Sequence, residues 1–314
     1  MMSSSAAPEV SVITATYNRK KYLPRLRESL LVQSFSDFEW VIVDDGSTDG
    51  TGELIDRWRR DSPFPIRYFW QPNQGRHIAF NRGVEEARGG YCAVIDSDDW
   101  YPPDALALMI QQWESMSAEQ RERFANVEGL AAYPDGKRAV SGRPMPQHVL
   151  DSDNFSIVAK HRVLGDKMGM YRTAVLREFP FPPVAGEYVT EDVVFLQIAD
   201  RYSSRFVDEV WGFKEYLPSG ITEKVKSDAR LFAFGFRLAN KTLISLKRRK
   251  PLTTVLKGYA NFTRYSLHDG IHVRTQLSEV PSALLWFATL PVGFGLYVRD
   301  LARAKLRRGN IGVR

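Results

Sequence analysis

Alternating strand and helix patterns constrain the fold of this chain more than any other feature. Residues 10–16, 38–43, 66–70 and 91–95 are apolar runs of the kind that form strands, and segments with helical apolar spacing separate them. Such alternation is typical of a parallel, doubly wound α/β sheet. We therefore expect the N-terminal third of the chain to form a parallel sheet covered by helices.

Acidic or polar side chains follow three of these predicted strands at the point where each strand ends. Asp44 and Asp45 follow the second strand, Asn73 follows the third, and Asp96 and Asp98 follow the fourth. The carboxyl ends of parallel strands form the ligand-binding edge of an open α/β sheet. A solvated acidic turn is the alternative for any single loop, but the convergence of three loops on one edge favours a ligand.

The spacing of the acidic residues indicates which ligand would suit this edge. Asp96 and Asp98, at positions i and i+2, can bring oxygens to one hard divalent cation such as Mg²⁺ or Mn²⁺, which would hold a diphosphate. Asp45 can accept hydrogen bonds from ribose hydroxyls or base N–H groups. The pattern therefore predicts a nucleoside diphosphate bound with a metal ion.

The chain lacks the sequence signatures of several other enzyme classes. The chain has neither the Gly-x-Gly-x-x-Gly dinucleotide fingerprint nor the P-loop pattern, and it has no Gly-x-Ser-x-Gly nucleophile elbow. His268 and His272 have the i, i+4 spacing of a zinc protease without its glutamate. The single cysteine, Cys92, lies within an apolar run, so we predict a core residue and no intrachain disulfide, which favours a reducing compartment.

Four motifs in order along the chain resemble those of family 2 glycosyltransferases. They are residues 10–18 (VSVITATYN), 41–49 (VIVDDGSTD), 73–75 (NQG) with Ala79 and Asn81, and 96–99 (DSDD). Each motif alone is weak, whereas the four together are specific, and the resemblance extends over roughly the first 220 residues. Ala15 departs from the pattern, because the family often has proline there, which should alter loop rigidity more than chemistry.

The resemblance implies a GT-A fold, Rossmann-like with a mainly parallel sheet flanked by helices, and an inverting transfer from a nucleotide-sugar, usually a UDP-sugar, with Mg²⁺ or Mn²⁺. It also implies roles for individual residues at the donor side. Thr16 and Tyr17 would border the base, and Asp45 would hold uracil or ribose. Asn73, Gly75 and Asn81 would belong to the donor loop and its helix, Asp96 would approach the ribose, the sugar and the metal, and Asp98 would ligate the metal.

The acceptor side requires a base that takes the proton of the attacking hydroxyl. Glu191 and Asp192 precede an apolar helical run and are the candidates, although acidic residues are also common in the first turn of a helix for purely structural reasons. The family has a Glu-Asp pair at this place with the aspartate as base. The resemblance therefore implies that Asp192 is the base and that Glu191 orients a sugar hydroxyl.

The C-terminal part of the chain is strongly basic. Residues 224–314 contain 18 Lys and Arg against 4 Asp and Glu, whereas the rest of the chain has 25 against 33. Residues 280–298 carry no charge and precede Arg299, Arg303 and three further cations before residue 309. Because Pro291, Gly293 and Gly295 interrupt this run, an in-plane or re-entrant pair of helices is as good an interpretation as a membrane span. Core helices packed on the rest of the protein are the further alternative.

These patterns predict a domain organisation and a function. We expect a disordered start at 1–8, a catalytic domain at 9–223 with a donor half at about 9–104 and an acceptor half at about 105–223, and a basic helical region at 224–314. The predicted activity is glycosyl transfer to a saccharide or lipid-linked saccharide, for a polysaccharide precursor, at the cytoplasmic face of an anionic membrane. A catalytically silent, membrane-docked module that binds nucleotide-sugars or serves as a scaffold is the alternative. A nucleic-acid partner is not expected, since no reader motif accompanies the basic charge.

Overall fold

The structure is a computed structural model that describes residues 7–136, 139–217 and 220–311. Most of the segment 1–8 that the sequence predicts to be disordered lies outside these residues. The chain forms two compact units. The sheet unit comprises the described residues of Met1–Gly186 and Arg201–Glu215, and the helical unit comprises those of Glu187–Asp200 and Tyr216–Arg314.

The sheet unit is built on one mixed sheet, to which the described residues contribute eight strands in the order β3-β2-β1-β4-β7-β5-β8-β6. β1, β2, β3 and β4 pair in parallel, as the alternation predicts, whereas β7 runs antiparallel to both of its neighbours. The strands are β1 (Val10–Thr16), β2 (Phe38–Asp44), β3 (Ile66–Trp70), β4 (Tyr91–Val94), β5 (Phe124–Ala132), β6 (Val149–Ser152), β7 (Lys167–Arg172) and β8 (Ser203–Phe213).

Seven helices connect these strands within the described residues of the sheet unit. In the first of them, Leu23, Leu26 and Leu30 recur at helical spacing and all three are buried, so this helix forms by covering the sheet with one apolar face. The helices are α1 (Leu23–Leu31), α2 (Thr51–Asp61), α3 (Arg76–Glu86), α4 (Ala105–Glu114), α5 (Ala118–Arg123), α6 (Asn154–Ala159) and α7 (Thr173–Glu178).

The main apolar core lies between the sheet and these helices. Trp40, Trp113 and Trp211 are fully buried in it, together with the Val, Ile and Leu side chains of β1, β2 and α1. Such near-continuous apolar strands are expected where a parallel sheet is covered on both faces. Cys92 is a free, fully buried residue of β4, which confirms its predicted place in the core.

The helical unit contains most of α8 (Asp192–Arg201), followed by α9 (Ile221–Ser227), a short 3₁₀ turn at Ala229–Phe232, α10 (Ala233–Ser245), α11 (Leu252–His268), α12 (Val273–Glu279) and α13 (Ala283–Ile311). Its own apolar core consists of Ile244, Tyr259, Phe262 and Trp286. The placement of residues 187–200 with the C-terminal helices is a feature that the sequence patterns do not reveal.

The predicted interruption of the apolar run 280–298 is wrong, because α13 continues through Pro291 as one helix of 29 residues. Proline removes one backbone hydrogen bond, and both Pro291 and Phe287, whose carbonyl loses its donor, are exposed, so water can satisfy that carbonyl. Gly293 lies against the carbonyl oxygen of Ala260 in α11, where a side chain would not fit. Among the described residues, no helix has the length and apolar content needed to cross a membrane.

Candidate active site

The parallel pairing of the first four strands brings the predicted donor residues to one edge of the sheet. Thr16 is paired with Asp44, the last residue of β2, and β4 ends opposite Ile13 of the same central strand. The loops after β1, β2, β3 and β4 therefore start from the same edge, which confirms the predicted convergence. Each loop contributes at least one of the side chains singled out in the sequence.

Asp45 organises the loop that follows β3. Its carboxylate is buried and accepts hydrogen bonds from the side chain of Gln71 at 2.8 Å, the main-chain N–H of Gln74 at 3.0 Å and that of Gly75 at 2.8 Å. Gly75 has φ +110°, a conformation that favours glycine, and α3 begins directly after it. The structure thus gives Asp45 a positioning role, and its predicted contact with uracil or ribose stays a prediction.

Thr16 and Tyr17 differ in their exposure at the end of β1. Thr16 is buried, and its hydroxyl has no hydrogen-bond partner among the described residues. Tyr17 is 49% exposed, which is unusual for a large aromatic side chain that follows a core strand. An exposed ring at this edge is available to a ligand.

Asn73 and Asn81 lie in the loop after β3 and in α3. Asn73 is exposed and packs its main chain against Gly46, where a side chain on the glycine would come within 2.8 Å of the Asn73 nitrogen. The amide of Asn81 accepts a hydrogen bond from the N–H of Phe181 at 2.9 Å and donates one to the carbonyl of the same residue at 2.8 Å. Asn81 therefore holds the Phe181 segment, and its predicted contact with the donor stays a prediction.

Two cationic side chains that sequence reasoning missed join the acidic loop after β4. Arg76, the first residue of α3, donates two hydrogen bonds to Oδ1 of Asp96. Lys214, directly after β8, lies 3.4 Å from Asp96, 3.1 Å from Asp99 and 3.3 Å from Asp166. Although burial opposes the charged form, the charges of Arg76 and Lys214 hold the pKa of Asp96 well below its usual range. Arg76 directly follows the Asn-Gln-Gly motif, whereas no sequence signal connects Lys214 to this loop.

Asp98 is in a different electrostatic environment from Asp96. Burial and the nearby charge of Asp96 raise the pKa of Asp98, against the smaller opposing effects of Arg19 and Lys214. Burial likewise raises the pKa of Asp99, whose side chain is almost fully enclosed. The carboxylate of Asp98 has no ion-pair partner within 4 Å among the described residues, so it is the member of the cluster that is best able to accept an added cation.

Arg25 of α1 holds the main chain of the acidic loop after β4. The guanidinium of Arg25 donates a hydrogen bond to the Asp98 carbonyl at 2.6 Å and another to Glu215 at 2.7 Å. The same guanidinium lies 3.8 Å from the ring centroid of Trp100, and this ring stacks on Phe213. Arg25 therefore holds the acidic loop by a hydrogen bond to the main chain of Asp98. This contact does not use the Asp98 carboxylate, which can still bind a ligand.

Glu191 and Asp192 lie in the helical unit at the start of α8. Both side chains are exposed, and the N–H of Val193 bonds to the carbonyl of Thr190 at 3.1 Å as the first turn forms. Although water reaches the Asp192 side chain, nearby protein atoms partly desolvate its carboxylate, and together with the charge of Glu191 this raises the pKa of Asp192. A solvent-accessible carboxylate with a raised pKa is better suited to accept a proton than an ordinary aspartate.

Comparison with known proteins places this arrangement in a family context. A putative teichuronic acid biosynthesis glycosyltransferase of Bacillus subtilis, TuaG, is 38% identical over 105 residues, which are 33% of this chain and 41% of that protein. The chain spans less than half the length of that protein and of other curated relatives that it matches.

Solved structures of low sequence identity share the fold. The S. aureus protein TarS (residues 1–349) in complex with UDP has a TM-score of 0.59 at 18% identity, over 96% of this chain and 92% of that one. The mannosyltransferase PcManGT from Pyrobaculum calidifontis, in complex with GDP-Man and Mn²⁺, has a TM-score of 0.51 at 15% identity, over 95% and 88% of the two chains. These likenesses confirm the predicted GT-A fold, an α/β sheet flanked by helices with a helical C-terminal part.

The family itself is shown by the sequence. The sequence model described as "Glycosyl transferase family 2" matches residues 11–175, more than half of the chain, and this match includes all but the first residue of β1, the whole of β2 to β4 and the loops that follow these four strands. The order of the four motifs, the parallel strands that present them and this match agree: the chain belongs to glycosyl transferase family 2.

Proposed function

We propose that this protein is an inverting glycosyltransferase that moves a sugar from a nucleotide-sugar, with a UDP-sugar as the preferred donor, to a hydroxyl of a saccharide or lipid-linked saccharide. The observation that carries the proposal is the convergence of Tyr17, the Asp45-organised loop and the Asp96–Asp99 loop on one edge of the sheet. TarS is described in complex with UDP and PcManGT with GDP-Man, and TuaG is named for teichuronic acid biosynthesis, which supports a nucleotide-sugar and a polysaccharide product.

The donor side uses side chains of the sheet unit. The exposed ring of Tyr17 offers an apolar face to the nucleobase, and the unpartnered hydroxyl of Thr16 offers a hydrogen bond at the end of β1. Arg76 and Lys214 bring positive charge to the loop where a diphosphate would lie. Asp45 keeps the Asn73–Gly75 segment in position for this contact.

A divalent cation fits the acidic loop with Asp98 as its main protein ligand. No group of three His, Cys, Asp or Glu side chains with metal-binding geometry occurs in the described part of the chain, so such a cation would take most of its ligands from phosphate and water, as Mg²⁺ often does. Asp96 could bind the cation only if its hydrogen bonds with Arg76 were partly broken. When bound, Mg²⁺ or Mn²⁺ would neutralise the charge that develops on the departing diphosphate.

The acceptor side uses the carboxylate at the start of α8. In the proposed reaction the acceptor oxygen forms a bond to the anomeric carbon, the bond from that carbon to the diphosphate oxygen breaks, and Asp192 takes the hydroxyl proton. Attack opposite to the leaving group inverts the anomeric configuration. The raised pKa of Asp192 supports this role, and Glu191 would orient a sugar hydroxyl beside it.

Release of nucleoside diphosphate from a panel of nucleotide-sugars tests the activity directly. The purified protein with Mn²⁺ or Mg²⁺ is expected to hydrolyse one donor slowly in the absence of acceptor, and more rapidly when a lipid extract supplies acceptors. Release from a UDP-sugar would support the proposal and identify the sugar. If no donor is hydrolysed with or without the lipid extract, the silent nucleotide-sugar-binding module becomes the better account.

We also place the protein at an anionic membrane surface, with α13 lying in the plane of the interface. Helix α13 has several exposed apolar side chains along the part of its length that lacks charge, followed by the exposed cations Arg299 and Arg303. An apolar helix face next to cations matches the interface of an anionic bilayer. The exposed apolar residues are Leu284, Phe287, Val292, Phe294 and Val298.

Vesicle sedimentation tests this membrane contact. The protein is expected to bind vesicles that contain phosphatidylglycerol, to bind pure phosphatidylcholine vesicles less, and to lose the difference in high salt, because screening weakens attraction between exposed charges. The double variant Phe287→Glu with Phe294→Glu should lose binding. Val32→Glu changes a similarly exposed apolar side chain in the sheet unit and should not alter binding. Equal binding by the double variant, or preference for RNA over vesicles, would contradict the proposal.

A further inference from the structure

The segment that carries Asp192 is fastened to the C-terminal helices at its start. The ring of Tyr188 packs edge-on against Phe232, with centroids 5.0 Å apart, and also against Phe236 at 6.4 Å. Phe236 in turn stacks on Tyr265 of α11 at 5.0 Å. These rings connect the four residues that precede Asp192 to α10 and, through α10, to α11.

The same segment is fastened to the region after α10 at its other end. Asp200 accepts the main-chain N–H of Lys247 at 3.2 Å and that of Arg248 at 2.7 Å, and Arg248 donates from its guanidinium to the Ala199 carbonyl at 2.6 Å. Residues 187–200 accordingly belong to the helical unit. Helix α10 therefore lies between the two places in the C-terminal helices to which this segment is attached.

Gly235 brings α10 into close contact with the main chain of the segment. A Cβ atom at this position would lie 2.2 Å from the carbonyl oxygen of Tyr188 and 3.3 Å from the nitrogen of Thr190. The atoms that it would meet belong to the main chain, so no side-chain rotation could make room. Any residue other than glycine would push residues 188–190 away from α10, and the turn that bonds Thr190 to Val193 would carry the shift to Asp192.

We infer that α10 positions Asp192 for the proposed transfer and that Gly235 and Phe236 are positioning residues of that reaction. This inference rests on the proposed function, because it requires Asp192 to act on the acceptor. The C-terminal helices would then serve catalysis as well as membrane contact. Small displacements matter here because a misplacement of about 1 Å from a distant mutation can lower a rate roughly 100-fold.

Gly235→Ala tests the inference against a matched glycine of the same unit. Gly293→Ala would also place a Cβ against a carbonyl oxygen, that of Ala260 at 2.6 Å, but at the contact of α13 with α11. Both variants should lower the thermal midpoint of unfolding, since each forces apart main-chain segments that are in close contact. Only Gly235→Ala should lower kcat, by roughly 10- to 100-fold, with the KM for the donor unchanged. Phe236→Leu provides the test if Gly235→Ala does not fold. This variant keeps an apolar side chain but loses the ring contacts with Tyr188 and Tyr265, and it should also lower kcat.

The outcomes separate this inference from the proposed function. If Asp192→Asn abolishes transfer while folded Gly235→Ala and Phe236→Leu keep the kcat of the unchanged protein, the positioning role is overturned and the base remains. Equal losses of kcat in Gly235→Ala and Gly293→Ala would also overturn it, because they would reflect general loosening of the bundle. If Asp192→Asn itself transfers sugar normally, the proposed base is wrong, whatever the glycine variants show.

Discussion

Asp192→Asn is expected to lower the turnover of glycosyl transfer by roughly 10²- to 10⁴-fold, the usual contribution of a general base. The asparagine amide keeps the shape of the side chain and cannot take the proton of the acceptor hydroxyl. Donor binding should be unchanged, because the residues proposed to bind the donor belong to the sheet unit and Asp192 belongs to the helical unit. Steady-state rates with acceptor, together with calorimetric titration of UDP, would measure the two effects separately.

The pH dependence of the reaction gives a second measure of the same role. Transfer requires deprotonated Asp192, so kcat/KM should fall as the pH is lowered through the pKa of this residue. Because partial desolvation by nearby protein atoms and the charge of Glu191 raise that pKa, this fall should occur at a higher pH than for an ordinary aspartate, and Asp192→Asn should lose it. Glu191→Gln should affect the KM for the acceptor more than kcat, and it should move the loss of kcat/KM to lower pH because it removes one cause of the raised pKa of Asp192. The assignment would be contradicted if Asp192→Asn had normal turnover, or if its kcat/KM fell at low pH as it does in the unchanged protein.

The sequence predicts the parallel strands β1 to β4 well because its signals there are local. Each of the first four strands ends where apolar residues give way to polar or acidic ones, and the parallel order β3-β2-β1-β4 then brings Thr16, Asp45, Asn73 and Asp96 to one edge. The buried leucines of α1 follow the same local logic. Family resemblance added the candidate roles, which the periodicity of the chain does not contain.

The features that the sequence did not predict depend on contacts between distant parts of the chain. Lys214 reaches Asp96 across 118 residues of sequence, and nothing in the surrounding residues indicates that pairing. Residues 187–200 likewise join the C-terminal helices through Tyr188, Gly235 and Asp200, contacts that no periodicity reveals. Pro291 was expected to break a helix, and it does not because its neighbourhood tolerates the missing hydrogen bond.

Asp98→Ala is expected to remove the gain in UDP affinity that Mn²⁺ provides. Asp98 lies in a loop already crowded with negative charge, where Asp96 and Asp99 are paired with Arg76 and Lys214 and Asp98 is not paired within 4 Å among the described residues. An added divalent cation would relieve this repulsion and join the carboxylate to the diphosphate. Loss of the ligand should weaken metal-dependent UDP binding by roughly 10- to 100-fold, since even outer-shell partners of metal ligands contribute that much.

UDP binding measured without metal shows whether Asp98 acts as a metal ligand. In EDTA the Asp98 carboxylate can only repel the diphosphate, so Asp98→Ala should bind UDP at least as tightly as the unchanged protein does. Calorimetric titration of UDP with and without Mn²⁺ gives both values from one pair of proteins, and Asp98→Asn reports whether charge or side-chain volume matters. Because Arg25 holds the loop through the Asp98 carbonyl, the backbone should keep its place in either variant. If the affinity for UDP rises equally with Mn²⁺ in Asp98→Ala and in the unchanged protein, Asp98 is not the ligand. If UDP binding weakens equally with and without the metal, the carboxylate acts by shaping the loop instead.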